Sequence, residues 1–588
     1  MKLRKIYTSA GILLLSLFCI GDAVAKDAKF ETGVSFGSTG ADEPYSSLTD
    51  KDGNYYISGM CRGDVEFAGG ATIKGRGGMD AVIVKYDAEL NFLWARAVGG
   101  SKDDTFERIA VTSAGDIVAV GKISGDVTID GTDQTLSGTQ STDGCIVVYD
   151  KDGNYKSSAQ IKAAGASLCY SVAVDKSDNI FVTGSTVGAT DFGNEKTVTI
   201  EGSNPGTFLA CYNNSLVCQW AIAGSSPVQS YGWAVNFDKE ENILLTGRFG
   251  TTFTITGTDG EALTTAVGSE SSQDTYVAKL SHEGVGQWIT YVTNSNRIDT
   301  RSIDSDSQGN VYIWGHCQSA VTPEGQSPLG FNGNFDSFLI KYSSAGAYLD
   351  GMNLGGSGRD EAKSLFVDAD DNIYVAGNVN GDGSKGGTAV NMNPRGESKD
   401  YTFKGHDGYV AKYNGSTWEL MQLEKTVTPD NANQHEVAWC VTMSPDYNKV
   451  YVTGYFNNGA TVFDGASLTL PFVRDYDIYT VLYSYTLMVK TKTLEPGVAN
   501  EPYYSNIVVD NVEGAVKFEI VSGALPDGIT LSKDGAFAGT PTKNGSYTFT
   551  VKISDDVSSI QKEYTLVIKS GEGCDVFIVT DQCPDAYI

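Results

Sequence analysis

The stretch DAVIVKYDAELNFLWARAVGGSKDDTFERIAVTSAGDIVAVG, Asp80 to Gly121, contains four short strand patterns in a row. DAVIVKY and GDIVAVG alternate with the period of two that puts successive side chains on opposite faces of a sheet, and both are rich in β-branched residues. Between them lie a Trp-bearing strand around Trp94 and the phrase RIAVT. The Gly-ended phrase recurs as GNYYISG (to Gly59), GDIVAVG (Gly121), DNIFVTG (Gly184), ENILLTG (Gly247), GNVYIWG (Gly315), DNIYVAG (Gly377) and NKVYVTG (Gly454), at intervals of 62, 63, 63, 68, 62 and 77 residues. The other phrase recurs in step, from Asp80, Asp143, Gly206, Asp274, Asp336, Asp407 and Asp477.

A four-strand unit of about 63 residues, present seven times, predicts a seven-bladed β-propeller, in which radial repetition protects sheet edges. We label the strands A (SVAVD-like), B (the Gly-ended phrase), C (DAVIVKY-like) and D (the Trp strand). Thr32–Phe36 aligns with Trp94–Val98 and so reads as a D strand, while the last repeat ends at a C strand, Asp477–Tyr483. The N-terminal strand is therefore expected to complete the last blade. The Asp80–Gly121 phrase resembles the bacterial SBBP-type β-propeller repeat, and related phrases run from about residue 30 to 485. That resemblance implies a scaffold of secreted and surface proteins and brings no catalytic residues with it.

Beyond Val489 the pattern changes. LPDGITLS (525–532), GAFAGTPT (535–542) and GSYTFTV (545–551) are short strands separated by turns. They resemble the bacterial putative-Ig, cadherin-like module, which implies an Ig-like β-sandwich. The expected organisation is a signal peptide at 1–25, a propeller at 26–490, an Ig-like sandwich at 491–569 and an unassigned tail at 570–588. The signal-peptide reading rests on basic Met1–Lys5, the apolar run GILLLSLFCI (11–20) and Ala23-Val-Ala25. It predicts export to a cell-surface, extracellular or periplasmic location, with no transmembrane helix.

The chain has 43 Lys and Arg against 72 Asp and Glu, a net charge of −29. That charge excludes a nucleic-acid binder, which needs a basic footprint. Four His and the absence of any C-x-x-C predict no metal centre. Turns such as DKDGN (50–54 and 150–154) and DADDN (368–372) look like fragments of calcium loops without the spaced Glu, so calcium stays an option and no other cofactor is expected. The pairs Asp42-Glu43, Asp103-Asp104 and Asp360-Glu361 recur before strand A, a repetition that favours a structural role. Pairing of the cysteines is left open: Cys211 and Cys218 could face each other across a hairpin, and Cys574 and Cys583 flank the short strand-like run VFIVT.

Length variation falls in the fourth and sixth B–C loops and the sixth D–A connection. A meander puts these connections on one face and the tight A–B and C–D turns on the other, so function is expected on the long-loop face. The candidate ligand-binding residues there are Tyr401, Phe403, His406, His435 and Trp439, aromatic and polar groups suited to sugar stacking or a protein hot spot. No catalytic residue is assigned. The function read from these features is binding or adhesion, with a glycan or surface protein as partner. The alternatives are a propeller-type polysaccharide-acting enzyme (glycosidase or lyase), for which Arg108 and Arg301 are candidates to line the channel, and a purely structural surface spacer.

Overall fold

The structure is a computed structural model. It describes residues 28–570 except 267–272, 381–387, 399, 404, 428–434, 458–460, 464–465, 469, 471–474, 486, 490, 492, 511, 513 and 557–558. The signal-peptide reading and the 571–588 segment, with Cys574 and Cys583, lie outside the described residues.

The described chain is all-β apart from one short 3-10 turn, and no helix in it is long and apolar enough to cross a membrane. The first repeat forms an antiparallel A–B–C–D meander from Glu43–Thr49, Tyr55–Cys61, Asp80–Tyr86 and Phe92–Gly100. The same pairing recurs along the chain in a propeller-like arrangement. Its last member pairs Glu436–Met443, Lys449–Phe456 and Asp477–Ser484, and the fourth strand there is Lys29–Phe36 from the N-terminus. The A strands are Glu43–Thr49, Thr105–Val111, Ser167–Val174, Ser230–Phe237, Ile298–Ser305, Glu361–Val367 and Glu436–Met443. Each packs against the next, and the last packs against the first. B and C strands are buried on both faces because each sheet is sandwiched between its neighbours; every residue of Asp80–Tyr86 and Gly206–Tyr212 is buried. Apolar clusters therefore straddle adjacent repeats, as where Val118 and Val120 meet Phe208 and Tyr212.

The tight turns have a shared chemistry. In DKDGN, the backbone N–H groups of Asp52 and Asn54 donate to Asp50 Oδ1 (3.0 and 2.9 Å), and Asn54 Nδ2 donates to Oδ2 (2.7 Å). Asp150, Asp175, Asp238, Asp306 and Asp368 repeat this. The carboxylate that resembles a calcium ligand is thus occupied by its own turn. The fourth turn position is left-handed, held by Gly53 (φ 83°) in one repeat and by Asp371 (φ 64°) in another.

The B–C loops fold back as hairpins. Gly188–Asp191 and Thr197–Ile200 form one, and its first strand bonds to Lys162 and Ala163 at the D edge of the preceding sheet. Val127–Ile129 bonds likewise to Val98–Gly100, and Thr254–Ile255 to Gly224–Ser225.

The Cys211–Cys218 pairing is not present. A register shift sets Cys218 opposite Tyr212 and Cys211 opposite Trp220, so the two thiols point to opposite faces of the sheet. Cys211 packs in one apolar cluster and Cys218 in the next. All seven described cysteines are buried and free.

From Leu487 onward a separate core forms around Phe537, Phe549, Tyr564 and Ile568. One sheet holds Lys517–Gly523, Gly545–Ser554, Ser559–Lys569 and, in parallel, Gly497–Val498. The other holds Tyr503–Asn506, Ala536–Gly539 and Ile529–Leu531. This is the Ig-like arrangement expected from sequence.

Candidate functional site

Every A strand carries one β-bulge, and every bulge lies beside the glycine of its B strand. Pro44 pairs with Gly59 and Ser46 with Ser58, leaving Tyr45 as the extra residue. The extra residues in the following repeats are Glu107, Tyr170, Trp233, Arg301, Lys363 and Trp439. A bulge bends its strand and re-aims one side chain. It also presses the strand's backbone onto the glycine. A Cβ on Gly59, Gly121, Gly184, Gly247, Gly377 or Gly454 would collide with the carbonyl oxygen of Glu43, Thr105, Leu168, Tyr231, Glu361 or Val437, and on Gly315 it would lie 2.6 Å from Asp299 O.

The seven extra residues are half-buried and line one central cavity of about 70 Å³ together with Arg108, Ser364 and Cys440. Their order around it is Tyr45, Glu107, Tyr170, Trp233, Arg301, Lys363, Trp439. Two aromatic arms flank Glu107. On one side Tyr45 meets Trp439 (centroids 5.6 Å), and Lys363 Nζ sits 4.2 Å from the Trp439 ring. On the other side Tyr170 meets Trp233 (4.4 Å), and the Arg301 guanidinium lies 5.3 Å from the Trp233 ring.

Arg108 occupies a position that is Ser46, Ser171, Ala234, Ser302, Ser364 or Cys440 in the other repeats. Its Nη2 reaches across to donate to Arg301 O (3.4 Å). Lys363 donates to Glu361 Oε2 (2.7 Å), and Arg359 Nε donates to Glu361 Oε1 (2.6 Å). Burial pushes the Glu361 carboxyl up, but Lys363, His316 and Arg359 outweigh it and hold the group ionised. Burial raises Glu107, which accepts a bond from Thr105 Oγ1 (2.7 Å).

A second cavity, of about 230 Å³, is lined by Arg359, Glu361, Asn378, His406, His435, Val437 and Tyr455. The His406 and His435 rings stack at 4.0 Å with 29° between planes. Burial lowers both, His406 to about 4 with the neighbouring His435 adding to the effect, so the pair is neutral at pH 7. Tyr476 bridges His435 (6.3 Å) to Tyr455 (5.2 Å), and Tyr455 meets Trp439 at 6.0 Å. The two cavities have no lining residue in common and are linked by the Lys363–Glu361 pair and the Trp439–Tyr455 contact.

Of the residues expected from sequence, His406 and His435 come together and Trp439 joins them through Tyr455. Tyr401 and Phe403 do not. They lie on Asp400–Phe403, where Lys425 Nζ sits 5.4 Å from each ring. Phe403 is fully buried, in an apolar cluster with Val390, Met392 and Tyr409, so its ring fills core and cannot meet a ligand. Tyr401 packs against the same cluster. Sequence reading placed Arg108 and Arg301 at the channel but missed Tyr45, Glu107, Tyr170, Trp233 and Lys363. The signal was available: each bulge residue stands fourteen positions before its B-strand glycine, fifteen for Trp439.

The recurrent acids before strand A are joints. Asp42 accepts from Ser38 N (2.5 Å) and Arg62 N (3.0 Å), Asp104 from Gly100 N (2.9 Å) and Ser124 N (2.7 Å), and Asp360 from Gly356 N (2.5 Å) and Asn380 N (3.1 Å). Each ties its D–A turn to the end of the B strand. Among the described residues no three His, Cys, Asp or Glu side chains form a metal-binding group.

Comparison with known proteins identifies an SBBP "Beta-propeller repeat" at residues 158–193 and a "Putative Ig domain" at 480–569. A WD repeat-containing protein of Acanthamoeba polyphaga mimivirus, itself uncharacterized, is 21% identical over 435 residues. The match covers 60% of this chain and 31% of that protein. Among solved structures, a periplasmic gluconolactonase from Pseudomonas aeruginosa aligns over 76% of this chain and 99% of its own (TM-score 0.34, 9% identity). A member of the duf4221 family from Bacteroides vulgatus aligns over 60% and 93% (TM-score 0.29, 9% identity).

Proposed function

We propose that this chain is an exported surface-binding protein, a seven-bladed propeller carried beside an Ig-like module, that recognises a glycan or a surface protein at the mouth of its central cavity. The observation that carries this reading is the aromatic lining of that cavity. Tyr45, Tyr170, Trp233 and Trp439 are half-buried and held by backbone bulges, rigid groups with an apolar face and a polar tip. Such rings stack on sugars and anchor protein contacts at low entropic cost. Trp439 in that lining connects through Tyr455 and Tyr476 to the His406–His435 pair, at the end of the sixth repeat's long B–C loop. The net charge of −29 keeps the surface soluble and away from anionic membranes and nucleic acid.

The test is a glycan and polysaccharide array, together with capture of cell-surface proteins, using residues 26–588 and a Trp439→Ala variant. Binding by the parent that Trp439→Ala loses with its melting transition intact supports the reading. Retention by the variant, or no binding to either class by the parent, refutes it. A second reading, a polysaccharide-acting enzyme, draws on one feature: Glu107, in the central cavity, is shifted toward its protonated form, while Glu361, in the wall of the second cavity, is held ionised. Opposed shifts of this kind are what an acid and its partner carboxylate need. Release of reducing or unsaturated ends from an array-positive polysaccharide, abolished by Glu107→Gln, would select the enzyme.

A further inference from the structure

The cations around the central cavity fall into two groups. Arg359 and Lys363 are both paired with Glu361, and Arg248 and Arg297 both with Asp299 (3.2 and 2.6 Å). Arg108 and Arg301 form no ion pair among the described residues. Arg108 Nε and Arg301 Nε are buried without a hydrogen-bond partner, and so is the indole N–H of Trp233 beside them. Glu107, next to Arg108 on its strand, is engaged by Thr105, and Asp299, which feels the Arg301 charge, is already paired with Arg248 and Arg297. A guanidinium keeps its charge at any accessible pH, so two of them facing one narrow space cannot relax by losing a proton. Their forks match a planar or tetrahedral oxyanion.

We infer that the central cavity is an anion subsite, in which Arg108 and Arg301, with Trp233 Nε1, hold the carboxylate or sulfate group of an acidic sugar. The dimensions agree with a divided site. About 70 Å³ admits an oxyanion group, whereas the 230 Å³ space lined by Arg359, Glu361, His406, His435 and Tyr455, linked to it through Lys363–Glu361 and Trp439–Tyr455, admits the sugar ring. Neutral histidines there offer hydrogen bonds to hydroxyl groups, and the two charged residues of that lining, Arg359 and Glu361, are paired with each other. This inference rests on the glycan reading and narrows it to acidic sugars, which the net charge of −29 would otherwise repel.

The experiment is isothermal titration of residues 26–588 with glucuronate, glucose 6-sulfate and glucose, repeated with Arg301→Met and, should that variant fail to fold, Arg108→Met. One charge-assisted contact carries roughly a tenfold to hundredfold change in affinity. The expected result is binding of an acidic sugar at least about tenfold tighter than glucose, with the difference erased in Arg301→Met. Which acid binds distinguishes carboxylate from sulfate as the natural group. Equal affinity for glucose and both acids, an unchanged preference in Arg301→Met, or no binding of either acid overturns the inference. Neutral-glycan binding lost in Trp439→Ala would then leave the broader reading standing, whereas silence on every glycan and surface protein would remove both.

Discussion

Gly121→Ala is the sharpest test of the bulge geometry. The added Cβ would run into Thr105 O and lie 2.9 Å from Phe106 Cα, backbone atoms that cannot rotate away as a side chain can. Gly121 is not left-handed, so an alanine there meets no backbone strain of its own, and unfolded-state entropy alone would stabilise the variant by ~0.4–1 kcal/mol. Against this, overpacking a filled interior costs about 1–3 kcal/mol. Prising Phe106 and Arg108 from their partners Gly121 and Val120 costs roughly 1 kcal/mol more per ladder bond lost. The net expectation is destabilisation by about 1–3 kcal/mol. With an unfolding entropy of ~2.1 cal/mol/K per residue, a ring of roughly 460 residues moves its midpoint by only ~1–3 °C. Urea unfolding followed by Trp fluorescence resolves this better than a thermal scan. The control is Gly330→Ala, where a Cβ meets nothing within 4 Å and the expected change is neutral or slightly stabilising. Equal midpoints for the two variants would refute the argument that the recurring glycine exists to admit the bulge.

Two further outcomes follow from the joints and the closure. Burial pushes Asp104 and Asp360 up to about 7, and Asp42 and Asp336 to about 6. Their unfolded values are near 4, so between roughly pH 4 and 7 the folded chain binds more protons than the unfolded one, and stability falls as pH rises through that window. Glu361 and Asp299 act oppositely: although burial raises them, their cationic partners hold both well below the usual carboxylate range, and the stability they give is lost as pH falls below about 4. Melting should therefore peak at about pH 4–5; a midpoint still rising from pH 5 to 8 would contradict it. Removal of residues 26–37 deletes the fourth strand of the last sheet and exposes the C strand Asp477–Ser484. The whole ring should then melt earlier in one transition, and the peptide added back should restore it. Loss confined to the last repeat, read by hydrogen exchange, would show that the ends are not coupled.

The fold was legible because its periodicity is carried by residues with backbone duties. Turn aspartates accept local N–H bonds and the B-strand glycines admit a bulge, so both recur at the repeat interval. The cavity was harder to read for the opposite reason. A bulge frees its extra residue from the ladder and from the sheet-to-sheet core, so no common chemistry marks these positions: Tyr45, Glu107, Trp233 and Lys363 share a place and nothing else. Loop length pointed instead to the 378–406 excursion, at whose end the His406 ring stacks on His435. It misjudged Phe403, because a hairpin long enough to fold back needs its own apolar residues to seal it, and an aromatic serving that end looks in sequence like one awaiting a ligand. Cys211 and Cys218 failed for a geometric reason: one residue of register decides which face a side chain takes.

The folded-back hairpins have a consequence for how such a chain is assembled and inherited. In the second, third, fourth and seventh repeats the hairpin pairs with the D edge of the sheet before its own, so a segment cut at sheet boundaries separates a hairpin from the edge it shields. A segment running D–A–B–C keeps the two together, as in Phe92–Gly100 with Val127–Ile129. Phe36 against Phe67, with ring centroids 5.2 Å apart, shows the first D strand and first B–C loop obeying the same rule. Among the described strands the array runs from the D strand Lys29–Phe36 to the C strand Asp477–Ser484, a phasing in these offset segments rather than in sheets. Tandem duplication or loss of one such segment would change the ring's size by a whole sheet while leaving no strand edge newly bare.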